Sequence, residues 1–206
     1  MGFPRTVAVV LVLFLVCASC TGLTRPSLKI EHYSLEYTPL ALEGAQLPLA
    51  IRVERFSAAP LYDTRQIIYR EKAFSREAYF YHRWRSTPAD LVTYFLARDL
   101  KSSGLFAGVL TYDSRQPAAF SLEGTVDEFL ESDHEEAWDA VLSFSVTLSA
   151  AREPDISKRI LFQKSYHTTR PCKQKNPRAL ADAMSEAMAQ LSAEVLRDVY
   201  KALEFR

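Results

Sequence analysis

The sequence predicts an α+β domain: a mostly antiparallel β-sheet with two main helices packed on it, preceded by a lipoprotein signal peptide. Three observations lead there. Long stretches between residues 119 and 168 alternate apolar and polar residues, the period of strands with one wet face. Two segments open on a capping residue followed by proline, Thr87-Pro88 and Asn176-Pro177, and continue with apolar residues three and four apart, the mark of amphipathic helices. The chain itself opens on a short apolar run that ends in small residues and a cysteine.

That opening comes first. Arg5 supplies a positive charge, and Val7 to Val16 is an unbroken apolar run of ten residues. A membrane-spanning helix takes about 20 residues, so the run suits the apolar region of an export signal instead. Ala18 and Ser19 are small, and Cys20 follows at once. The order reads as a lipobox, with cleavage between Ser19 and Cys20, diacylglycerol on the Cys20 thiol and an acyl chain such as palmitate on the new amino terminus. An ordinary cleaved signal or an uncleaved anchor are the other readings. Two or more acyl chains, at about 0.8 kcal/mol per buried methylene, anchor a protein stably. Thr21, not aspartate, follows the cysteine, which favours the outer membrane over the inner. The predicted organisation is a signal peptide over 1–19, a lipidated N-terminus and tether over 20–31, and a single domain over 32–206. Extended at about 3.3 Å per residue, Thr21 to Glu31 reaches roughly 36 Å.

Tyr33 to Tyr37 alternates and reads as the first strand, Leu49 to Phe56 as the second, closed by Pro60. Gln66 to Arg70 and Glu77 to Trp84 are the third and fourth, rich in β-branched and aromatic residues. Thr87 caps a helix with Pro88 in its first turn and Asp90 at its positive end, and Gly104 stops it after about Ser103. Phe106 to Tyr112 is a strand. Ala119 to Leu130 is another, with Phe120, Leu122, Gly124 and Val126 on one face. Glu131 to Glu136 reads as an acidic turn, Trp138 to Ala150 as the clearest strand, and Arg159 to Thr168 as its return, an antiparallel meander. The last helix runs from Pro177 to Leu203, with Leu180, Met184, Ala187, Met188, Leu191, Val195, Val199 and Leu203 as its stripe. Packing on the sheet is the plain reading of that stripe, and a membrane-lying or partner-binding helix the other. Asp182, Glu186, Glu194 and Asp198 on the polar side argue against a lipid surface, where lysine and arginine prevail.

Composition narrows the function. The formal net charge is +0, and losing the signal removes only Arg5, so no basic excess is there to bind nucleic acid. Of three cysteines, Cys17 leaves with the signal and Cys20 takes the lipid, so Cys172 has no partner for an internal disulfide. His32, His82, His134 and His167 stand at no metal-ligand spacing, and Asp133-His134-Glu135-Glu136 reads as a solvated hairpin tip. No nucleophile elbow, phosphate loop or zinc helix motif occurs, and the expectation is a non-enzyme with no cofactor beyond its covalent lipid.

The aromatic residues point elsewhere. Between Tyr62 and Trp84 aromatic side chains alternate with arginines, the residue types that anchor protein interfaces. Tyr62, Arg65, Tyr69, Arg70, Tyr81 and Trp84 form the candidate partner surface, with packing on a strand face as the other reading. The run from Leu61 to Arg70, then Tyr79 to Trp84, then a helix, then Gly104-Leu105-Phe106, resembles the ABC-type transport auxiliary lipoproteins. The resemblance implies a lipoprotein on the periplasmic face of the outer membrane. It implies work with an ABC permease and ATPase and with a Mce-domain protein, docking a path for phospholipid or other hydrophobic cargo, and a homo-oligomer in some members. A lipid-binding carrier with an apolar cavity between sheet and helices is the competing expectation. A closed sheet–helix interface would favour docking, and an open cavity of several hundred Å³ carrying.

Overall fold

The structure, a computed structural model, describes residues 29–39 and 42–205. Ser19, Cys20, the signal segment and most of the tether lie outside the described residues. Nine strands and three helices follow in order: β1 (Glu31–Tyr33), β2 (Leu47–Val53), β3 (Ser57–Ala58), a 3-10 turn (Pro60–Tyr62), β4 (Gln66–Arg70), β5 (Glu77–Trp84), α1 (Pro88–Ser102), β6 (Phe106–Thr111), β7 (Phe120–Asp133), β8 (Trp138–Ala150), the single turn α2 (Ile156–Arg159), β9 (Ile160–Pro171) and α3 (Pro177–Leu203).

Both long helices start as their caps dictate. The Thr87 hydroxyl oxygen accepts the Asp90 amide and the Asn176 side-chain oxygen accepts the Ala179 amide, each satisfying one of the donors a helix start leaves free. Gly104, at φ 68°, ends α1 in the left-handed region.

The sheet is mixed, which corrects the expectation of a mostly antiparallel one. β7–β8–β9 is the predicted antiparallel meander. The other edge of β7 is shared by three successive strands running parallel to it: β2 (Ile51 opposite Phe120), β3 (Ser57 opposite Thr125) and β4 (Ile68 opposite Leu130). β6 lies parallel outside β2, β5 antiparallel outside β4, and β1 parallel outside β5. Alternation marks a strand but carries no direction, so crossovers were invisible to it. The first strand is also earlier and shorter than predicted. Residues 34–37 leave the sheet, burying Leu35 and stacking Tyr37 on Phe95 of α1 at 5.1 Å.

On β8 the residues Leu142, Phe144, Val146 and Leu148 are fully buried, while Ser143, Ser145 and Thr147 are half-buried on the opposite face. The α3 stripe from Leu180 to Val199 meets the apolar face with Met184, Ala187, Met188, Leu191 and Val195 all at 0 % exposure. The plain-core reading of that stripe is the one the structure adopts. A bulge between Val126 and Glu128 shifts β7 by one residue against β8. The inward phase set by Leu122 and Val126 then passes to Phe129 and Glu131. Gly124 belongs to the same strand, and a Cβ there would run into the Ser145 carbonyl and the Phe56 ring.

Candidate functional site

The aromatic segment becomes the β1–β5–β4 wing of the sheet, and the pleat divides it. Consecutive strand residues point to opposite faces. Tyr69 turns to the side that carries the helices: its ring lies 4.7 Å from that of Tyr79, and its hydroxyl donates to Glu77 at 2.6 Å. Arg70 turns to the other side and donates to the Ser132 hydroxyl at 2.9 Å. Two of the six candidate residues do not reach the surface, which corrects the sequence reading. Trp84 is 1 % exposed, edge-on to Phe129 at 5.1 Å, and Tyr62 is 5 % exposed. Arg65 and Tyr81 are exposed, as the reading requires of a partner surface. Phe80, in the same aromatic segment, is 64 % exposed and packs edge-on against Tyr81 at 4.8 Å.

On the helix side the wing carries a cluster of rings: Tyr79 meets Trp138, Tyr69 and His82, and His82 meets Tyr33, at centroid distances of 4.7 to 6.4 Å. Each tyrosine in it donates its hydroxyl to a carboxylate, Tyr33 to Glu31 at 2.6 Å, Tyr69 to Glu77 and Tyr79 to Glu131 at 3.0 Å. The first two carboxylates are exposed, but Glu131 is fully buried. Its Oε2 has no protein donor, and burial pushes its carboxyl up to about 7, with the Tyr79 hydroxyl pulling the other way. The sequence reading had put Glu131 in an acidic turn. The bulge puts it inside, and the only cue was the charged pair Asp127-Glu128 interrupting an apolar alternation.

Burial, with Glu131 and Asp139 nearby, pushes the Cys172 thiol up to about 12, far from a reactive thiolate. Among the described residues no group of three His, Cys, Asp or Glu side chains converges as metal ligands would. His134 sits in the β7–β8 turn, where Lys175 ties Asp133 at 2.9 Å and the carbonyls of His134 and Glu135.

A second polar centre fastens the chain behind the tether. Asp99 of α1, 5 % exposed, accepts from the Tyr37 hydroxyl at 2.7 Å, the Ser192 hydroxyl of α3 at 2.6 Å and Arg98 Nε at 2.8 Å. The Arg98 guanidinium covers the Tyr37 ring at 4.2 Å, and Ser185 of α3 accepts the Glu36 amide. One carboxylate thus joins both helices to the segment that enters from the N-terminus. Beside it an open groove of about 1120 Å³ runs between α1 and β6, lined by Ser34, Tyr94, Phe95, Arg98, Val109 and Tyr112 among others. It lies where α1 meets the edge strand β6, and its wall mixes apolar side chains such as Leu91, Phe95 and Val109 with polar ones.

Among the described residues no helix is long and apolar enough to cross a membrane. A family model for the ABC-type transport auxiliary lipoprotein component matches residues 33–196. No curated protein sequence matches the chain. Protein XCC0632 from Xanthomonas campestris, a DUF330 protein, shares its fold with a TM-score of 0.75 at 18% identity, over 84% of this chain and 95% of that one. The hypothetical protein CT253 from Chlamydia trachomatis superposes with a TM-score of 0.51 at 10% identity, over 76% of this chain and 98% of its own.

Proposed function

Because the chain belongs to the family of ABC-type transport auxiliary lipoprotein components, we propose that it is the docking subunit of such a transporter and not a carrier of its cargo. The observation that carries this is the filled interface between α3 and the sheet. The α3 stripe and the facing β8 residues are fully buried against one another, which leaves a lipid tail no room where the carrier reading needs it. The groove along α1 is open and partly polar, a poor container for an acyl chain.

In this reading the signal is cut between Ser19 and Cys20, and lipid on Cys20 holds the domain at the periplasmic face of the outer membrane. The Asp99 centre passes any pull on the tether into both helices. Arg65 and Tyr81, with Phe80, present the partner surface. The partners are a Mce-domain protein and its permease and ATPase, and the cargo is phospholipid or another hydrophobic molecule. A double variant, Arg65→Glu with Tyr81→Ala, tests the surface. Both side chains are exposed, so the domain stays folded. We expect co-purification of the Mce-domain protein with the full chain to be lost, and its survival would remove this surface from the proposal.

A further inference from the structure

Phe74, at the tip of the β4–β5 hairpin, is out of place twice over. Its side chain is fully exposed, at 105%, and its backbone sits at φ 64°, where a bulky residue is strained. Neither cost serves the fold, since the ring touches nothing in it. The direction of β1 shows what lies in front of that ring. β1 pairs parallel with β5, Glu31 opposite His82 and Tyr33 opposite Trp84. The chain that precedes Glu31 therefore arrives from the end of β5 where the hairpin tip lies, and Lys29 and Ile30 are exposed on that approach. From the level of His82 back to Phe74 is eight residues, at most about 26 Å, while Cys20 to Glu31 spans up to about 36 Å.

We propose that Phe74 inserts into the surface of the membrane that holds the lipidated N-terminus, making the hairpin tip a second, non-covalent contact that sets the domain upright on its tether. This rests on the docking reading, which places the lipid on Cys20. A phenylalanine at an interface buries its ring about 5–10 Å into the headgroup–acyl boundary, and Lys72, exposed beside it, keeps its ammonium in water while its stem lies along the bilayer. The same end of the sheet carries exposed Glu135 and Glu136 in the β7–β8 turn. The contact is therefore made by the apolar ring and not by attraction to anionic lipid, and it holds equally on zwitterionic membranes. The opposite end, where β8 turns into β9, faces away from the bilayer.

The experiment uses the full acylated chain with Phe74→Trp, reconstituted into phosphatidylethanolamine vesicles whose acyl chains are brominated near the headgroup, with and without phosphatidylglycerol. The unsubstituted chain supplies the background of Trp84 and Trp138. We expect the chain to float with the vesicles and the added emission to fall by about half or more in both compositions, as for a ring at headgroup depth. Ile156→Trp, exposed at the far end, should float and keep its emission. A chain that floats but whose indole at position 74 is not quenched overturns the inference and leaves the anchor standing, as does quenching of both variants, which would mean the domain lies flat. If the indole instead shifts to the blue only when the Mce-domain protein is added, the ring fits a protein pocket and the inference is likewise overturned. A chain that does not float removes the anchor, and the inference with it.

Discussion

The helix-covered half of the sheet and the β1–β5–β4 wing draw on the same aromatic residues and use them in opposite ways. Under α1 and α3, Phe144 and Phe129 are at 0 % and 1 % exposure and Tyr166 at 2 %, with Phe144 between the rings of Phe56 and Tyr166 and Phe129 against Trp84. In the wing, Phe74 and Phe80 stand in water, Tyr69 and Tyr79 are half-covered, and only Trp84 joins the core. Rings in the first region hold the fold together. Those in the second are left available. Stability and recognition are thus spatially separated in this domain.

The largest effect belongs to the covered half. Phe144→Ala should cost about 3–5 kcal/mol in chemical denaturation, whereas Phe80→Ala should change stability by about 0.5 kcal/mol or less. Equal losses would erase the distinction. Glu131 lies on the seam between the regions and tests it by pH. Its carboxyl rises from an ordinary 4.5 to about 7 through burial. The folded chain therefore holds a proton that the unfolded chain releases. That contribution is full below about pH 4.5 and is lost as pH rises through about 7, so stability should fall across that window. Glu131→Gln keeps an acceptor for the Tyr79 hydroxyl and should flatten the slope, by roughly 3 kcal/mol between pH 4 and pH 8. A parallel pair of pH–stability curves would remove Glu131 as the titrating group.

Two smaller effects sharpen the picture. Tyr37→Phe removes one of three hydrogen bonds at Asp99 and should cost about 1–1.5 kcal/mol. Amide exchange should quicken at Leu35 to Tyr37 while α3 stays protected, showing that the tether segment is held by this contact. Phe74→Gly should raise stability by about 0.5–1 kcal/mol, since glycine adopts a positive φ without strain and no packing is lost. A loss of stability would mean that the ring contributes to the fold after all.

Much of this was legible in the sequence, and the physical reasons for the rest are specific. The capped helices read correctly because Thr87-Pro88 and Asn176-Pro177 act locally, and Gln66–Arg70, Glu77–Trp84 and Trp138–Ala150 showed a strand period or composition along their own length. The family resemblance rested on the same segment and agrees with the match over residues 33–196. Pairing direction did not read, because β2, β3 and β4 line up along β7 only after the chain crosses over. The candidate surface read in part. Proximity in sequence grouped Tyr69 with Arg70, but the pleat separates them, and Tyr62 and Trp84 are core. A single bulge, which no local rule announces, turns Glu131 inward, and nothing local marks Phe74, because exposure and a positive φ are properties of the folded chain.

The central claim, that this domain docks and does not carry, has one direct test: native mass spectrometry of the full chain released gently from membranes. The account predicts the mass of the chain from Cys20 with its covalent lipid, together with transporter partner and no stoichiometric phospholipid beyond the anchor. A chain that leaves the membrane with one phospholipid bound per domain and no partner would contradict it.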